Sequence, residues 1–167
     1  MAEMQRKRRE PPEVEFEDPL SNYSPPNYAD DLERVLNETP VVELEHKPYG
    51  EAAPDTTVEQ ALRIMVEHNI ACLLIVEDGL RLIGVFTERD VLNRVAGQLE
   101  QIRSLPVRAV MTPDPLFVYE TAPLAKAINY AAIGGVRHIP ICNVDNQVTG
   151  VIGPRRITKF LVGQFAG

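Results

Sequence analysis

The feature that most restricts this 167-residue chain is an internal repeat. From Pro40 onward the sequence aligns with itself at a constant offset of 66 residues, without a gap: Gly84-Val85-Phe86 with Gly150-Val151-Ile152 (150 − 84 = 66), Pro40-Val41 with Pro106-Val107, Ala61 with Ala127, and Gly97-Gln98 with Gly163-Gln164. Only 9 of the 62 pairs between 40–101 and 106–167 are identical, so the apolar pattern carries the alignment. Val58, Ala61, Leu62 and Met65 have the spacing of one helical face, and so do Leu124, Ala127, Ile128 and Ala131. Each helix leads into an apolar strand (Cys72–Val76 or His138–Cys142), a turn (Asp78-Gly79 or Asp145-Asn146) and a second strand (Leu82–Phe86 or Val148–Ile152). A second helix over Glu88–Leu99 or Pro154–Phe165 closes each unit. The expected fold is therefore α/β (α+β): two β-α-β-β-α units, each after a Pro-Val lead-in. Neither copy of about 60 residues can hide its sheet face alone, so the two are expected to pack as an intramolecular pseudo-twofold pair.

Charge divides the chain in three. Residues 1–39 carry 5 basic and 10 acidic side chains, 40–105 carry 6 and 11, and 106–167 carry 6 and 3, which sums to the formal charge of −7. The acidic total argues against a nucleic-acid binder, yet it conceals a basic second repeat. With two cysteines and no apolar run near 18 residues, the sequence reads as neither a disulfide scaffold nor a membrane span. The charged start Met1–Glu10 does not read as a signal peptide, and a reducing, cytoplasmic setting is the expectation. Residues 1–39 hold five prolines and few aliphatics, which predicts a largely disordered or surface-draped tail with a short helix over 28–37, where Leu32, Val35 and Leu36 share a face. Arg6–Arg9 reads as a solvated basic run. Residues 40–105 and 106–167 are the expected domains.

The motifs within the two units are more specific than their pattern. Val110-Met111-Thr112-Pro113 opens the second unit, Gly135-Val136-Arg137-His138-Ile139-Pro140-Ile141 runs into its strand, and Gly84-Val85-Phe86-Thr87-Glu88-Arg89-Asp90 ends the first unit's last strand. On these residues the chain from 40 to 167 resembles a tandem pair of CBS domains, a Bateman module, with no room left for an appended catalytic domain. The resemblance implies adenosyl-ligand binding in clefts between repeats. One repeat supplies Gly-x-x-Thr/Ser-x-x-Asp, and the other supplies basic groups for phosphate.

The physical logic holds: a carboxylate accepts from both ribose hydroxyls, a Thr hydroxyl meets a ribose or phosphate oxygen, and a glycine lets ligand approach the backbone. Repeat one carries the whole motif in Gly84, Thr87 and Asp90, with Val85 between, whereas repeat two has Gly153 and Arg156 in place of the Thr and the Asp. Conversely, Arg137 and His138 of repeat two stand where repeat one has Ala71 and Cys72. By the resemblance, Thr87 and Asp90 share a cleft with Arg137, His138 and Pro140, and the opposite cleft combines Gly153 and Arg156 with Ala71 and Cys72. One competent site and one degenerate site are thus expected, with Arg155 and Arg156 as secondary candidates. The plainer alternative is that Thr87 and Asp90 form a capping box and need no ligand.

His68 and Cys72 are four apart, but the helix is expected to end near Asn69, so no metal site is predicted. Cys72 and Cys142 read as buried thiols, and Gly134-Gly135 as a helix end. His46, His68 and His138 have no recognisable nucleophile motif beside them, so no enzymatic activity is expected. The reading is a regulatory, energy-sensing module that binds AMP first, ADP or ATP as alternatives, reversibly and without a tightly bound cofactor. The resemblance also implies a homodimer built through helices of both repeats, acting on an unidentified effector protein. The alternatives are a ligand-free dimerisation scaffold, or a site for S-adenosylmethionine, NAD or a cyclic dinucleotide.

Overall fold

The computed structural model describes residues 24–165. The expectations for residues 1–23, Arg6–Arg9 among them, lie outside the described residues. Helix α1 spans Asp31–Glu38, three residues later than expected, because Asp30 caps it by accepting the Glu33 N–H at 2.8 Å. The first repeat follows as β1 (Gly50–Ala52), α2 (Val58–Glu67), β2 (Cys72–Glu77) and β3 (Arg81–Thr87). Thr57 and Gln60 close a reciprocal capping box at the start of α2, and Asn69 leaves the helix at φ 49°. The second repeat contains β5 (Val118–Tyr119), α5 (Leu124–Gly134), β6 (Ile139–Cys142), β7 (Val148–Ile152) and α6 (Pro154–Phe165). Gly135 ends α5 in the left-handed conformation, φ 60°.

One element departs from expectation. In place of a single helix over 88–99, the chain forms a three-residue helix α3 (Glu88–Asp90), a π turn over Val91–Val95 with the Ala96 N–H on the Val91 carbonyl, and a separate helix α4 (Leu99–Ile102). The counterpart in repeat two is the unbroken α6.

Sheet one has the order β1-β2-β3-β4, where β4 is Thr112–Pro113, and sheet two has the order β5-β6-β7. In each, the first pair is parallel and the next antiparallel. β2 is buried on both faces, which accounts for its continuous apolar run. Leu73 and Ile75 pack with Val58, Ala61 and Met65 of α2, while Cys72 and Leu74 join Cys142, Val148 and Val151 in a third core between the sheets. The two repeats therefore cover each other's sheets.

The lead-in segments cross over. Val41 and Leu44 lie in the core of the second repeat with Leu124, Ile139 and Ile152, and the Val41 N–H donates to the Ala122 carbonyl at 2.8 Å. Val107 and Val110 lie in the core of the first with Val58 and Phe86, and the Val107 N–H donates to the Thr56 carbonyl at 2.7 Å. Strand β4 pairs with β3 (Gly84 with Pro113, Val85 with Thr112), so the start of the second sequence repeat completes the first repeat's sheet.

Candidate functional site

Strand β3 alternates faces, so Val85 and Thr87 point one way and Gly84 the other. At Thr87 the backbone is still extended, and the chain then turns into α3, which brings Asp90 back under the strand end. The Thr87 N–H and hydroxyl both donate to Asp90 Oδ2, at 2.9 and 2.8 Å. Thr112 on β4 donates its hydroxyl to Asp90 Oδ1 at 2.9 Å, and Arg94 Nη1 lies 3.4 Å from that oxygen. Arg94 also donates to the carbonyls of Val110 and Met111, at 2.9 and 2.6 Å. Asp90 is 4% exposed, a buried charge that is paired and hydrogen-bonded, as burial of a carboxylate requires. The cap described as the plainer alternative is therefore present.

Beside this network lies a cavity of about 430 Å³. Val85, Thr87, Asp90 and Thr112 line it from the first repeat's sheet and α3, and Arg137 and His138 line it from the second repeat. Five residues expected to bind ligand, Val85, Thr87, Asp90, Arg137 and His138, thus share one cleft. Gly84 and Pro140 lie off it. A Cβ on Gly84 would stand 2.4 Å from the Met111 sulfur, so this glycine makes room for Met111 rather than for a ligand. Pro140 is a fully embedded residue of β6, paired with Val151. Sequence reasoning missed Glu88, Arg89, Leu92 and Asn93, which also line the cavity. Positions 89, 92 and 93 have the i, i+3, i+4 spacing of one face of the helix expected over 88–99, a signal present in the sequence.

The opposite cleft is a cavity of about 220 Å³ where Gly153 and Arg156 meet Ala71 and Cys72, joined by Pro48 and Tyr49. Arg156 is committed there: its guanidinium donates to the carbonyls of Val151 and Pro48, and burial lowers its pKa. Arg155 is exposed at the rim. Ala71 and His138 line both cavities. A Cβ on Gly153 would come 3.1 Å from His138 Cδ2, so the loss of the Thr in repeat two goes with the larger ring on the neighbouring strand. Burial pulls the His138 pKa down, Glu88 pulls it up, and Arg137 and Arg156 push it further down.

Burial pushes the Cys72 thiol up to about 12 and the Cys142 thiol up to about 11, so neither supplies a thiolate nucleophile at neutral pH. Among the described residues no three His, Cys, Asp or Glu side chains converge as metal ligands do, and no helix is long and apolar enough to cross a membrane.

With the geometry in hand, comparison with known proteins is specific. The family model for the CBS domain matches residues 39–97 and 107–163. An uncharacterized 17.7 kDa protein of Acidianus ambivalens is 29% identical over 109 residues, a match that covers 65% of this chain and 65% of that one. Among solved structures, CBSX2 in complex with AMP superposes with a TM-score of 0.64 at 23% identity, covering 74% of this chain and 96% of that one. The CBS domain pair of protein MJ0100, in complex with 5'-methylthioadenosine and S-adenosyl-L-methionine, gives 0.65 at 23%, covering 75% and 98%. At these identities the structural likeness is one of fold.

Proposed function

The chain belongs to the CBS domain family as a tandem pair, and from that premise we propose that it is a regulatory module binding an adenine nucleotide, AMP first, in the larger cavity between its repeats. One observation carries the reading. Asp90 and Thr87 of the first repeat, the ribose side, share a single cavity with Arg137 and His138 of the second, the phosphate side, with Arg89 of the first repeat lining the same cavity. A ligand held by both would bridge the repeats, so occupancy biases their relative packing, the usual route from binding to regulation. The AMP named for CBSX2, and the 5'-methylthioadenosine and S-adenosyl-L-methionine named for the MJ0100 pair, support an adenosyl ligand, with a phosphate in the first case.

The smaller cavity is the degenerate one in this reading, because Arg156 is spent on backbone carbonyls and no carboxylate lines the cavity with Gly153. The reading is of a binder: both thiols are held protonated, and the described histidines stand in separate places. Calorimetric titration with AMP, ADP and ATP is expected to give one site per chain, with Asp90→Ala weakening it more than tenfold. Two equivalent sites, or an Asp90→Ala affinity equal to wild type, would overturn the reading.

A second reading has its own observation. Glu88 places a carboxylate in the cavity, which suits the sulfonium of S-adenosylmethionine better than a phosphate. Arg137→Ala separates the two, since it removes AMP binding and spares S-adenosylmethionine.

The assembly proposed is a homodimer through the helices. Val66 on α2, Leu92 on the π turn, Ile133 on α5 and Val162 on α6 each expose a large aliphatic side chain. Light scattering that finds a monomer at micromolar concentration would remove this part of the proposal.

A further inference from the structure

In this structure the carboxylate a ribose needs has one acceptor position open, where two ribose hydroxyls would need two. Each carboxylate oxygen has two lone pairs. Asp90 Oδ2 receives the N–H and the hydroxyl of Thr87, and Oδ1 receives the hydroxyl of Thr112 beside the Arg94 guanidinium. The Asp90 side chain is 5% exposed. Arg94 Nη1 donates to the Val110 and Met111 carbonyls and meets Oδ1 only as an ion pair, so one lone pair of Oδ1 stays open, and the second ribose hydroxyl can reach Asp90 only by displacing one of these donors.

They are not equivalent. Thr87 and Arg94 lie within four residues of Asp90 and belong to the same strand end and helical turn. Thr112 lies 22 residues away, on β4, the short strand that carries the chain from one repeat to the other. That strand is held lightly, by two residues paired with β3 and by the Asp114 N–H on the Ile83 carbonyl at 3.2 Å, with Asp114 itself at φ 46°. Two further features seat it: Arg94 clamps the carbonyls of Val110 and Met111, and Met111 fills the space left open by Gly84. The opposite cleft has no such arrangement, because Arg156 replaces the aspartate and His46, at the position equivalent to Thr112 (112 − 66 = 46), bonds the Leu44 carbonyl.

We propose that the Thr112 hydroxyl is a latch: it holds the Asp90 oxygen that a ribose hydroxyl takes on binding, so that occupancy releases β4 from the site. The proposal rests on the adenine-nucleotide reading above and adds what it lacks, a mechanical link from the ligand to the segment connecting the repeats. Gly84 then matters because it seats the latch, although it does not touch the cavity.

Thr112→Val keeps the shape and β-branching of the side chain and removes the competing donor. It leaves an unsatisfied oxygen that the ligand alone restores, so AMP binds roughly tenfold more tightly than to wild type, while Thr112→Ser binds as wild type does. In the wild-type chain, amide exchange over 110–114 becomes faster when AMP is added, a readout that needs no variant. A Thr112→Val affinity equal to or below wild type, or slower exchange over 110–114, overturns the latch. If Asp90→Asn still abolishes binding in that case, the latch has failed alone. If neither wild type nor Thr112→Val binds AMP, the nucleotide reading has failed and takes the latch with it.

Discussion

At the scale of residues, the two clefts differ by a compensated exchange. Where repeat one sets Cys72 against Thr87 across the β2–β3 pair, repeat two sets His138 beside Gly153. The imidazole fits because the glycine has no side chain, and the fit leaves it half-buried. Burial disfavours the imidazolium, Glu88 opposes that, and Arg137 and Arg156 add to it, so the folded chain releases the His138 proton at a lower pH than the unfolded chain. Between the depressed folded value and an unfolded value of about 6.5, the unfolded chain binds more protons. Stability therefore rises with pH through that window and is lost as pH falls through it. The thermal midpoint of the unliganded protein is expected to drop as pH is lowered from 7 toward 5.5, and His138→Asn is expected to flatten that part of the profile. An unaltered profile in the variant assigns the dependence to another group.

At the scale of elements, the repeat is legible because packing imposes the same period on both copies. The tight turns at Val41–Glu43 and Val107–Ala109 keep the 66-residue offset, as do the starts of α2 and α5 and the starts of α3 and α6. Val58, Ala61 and Met65, read as one helical face, are buried together on α2. The π turn was not legible. Val91, Val95 and Ile102 look like one continuous apolar stripe, and a periodicity argument cannot register a single extra residue inserted into the winding. Strand parity explains the other departure. Read as a motif, Gly84 and Thr87 seem to serve one ligand, but a period of two puts Val85 and Thr87 on one face and Gly84 on the other, against Met111. The placing of Thr87 and Asp90 with Arg137 and His138 was legible only through the resemblance to tandem CBS domains, which sets the basic pair of one repeat opposite the Thr/Asp motif of the other. Thr112 was not, because nothing local in Met111-Thr112-Pro113 says which sheet it will join.

At the scale of the whole molecule, sequence repeat and structural unit are out of step. Leu44 precedes the first repeat's strands, yet it is 2% exposed in a core made with Val118, Leu124, Ile139 and Ile141 of the second. The Leu124 N–H donates to the Thr39 carbonyl at 2.9 Å, and α1 places Leu36 against the same core. The first repeat borrows Val107 and Val110 in return. Each half of the sequence therefore lacks part of its own core, and the third core of Leu74, Val85, Val148 and Val151 ties the two sheets face to face. This arrangement makes a displaced reading of mutations unavoidable. Leu44→Ala is expected to cost about 2–5 kcal/mol, the usual range for emptying a packed leucine site. Its effect on native-state amide exchange is expected in β6 and β7, some 95 residues or more along the chain, before it reaches β2 and β3 (139 − 44 = 95). Loss of protection confined to β1–β3 would mean that the lead-in segment packs with its own repeat, and the crossover, together with the coupling between repeats that the proposed function requires, would have to be abandoned.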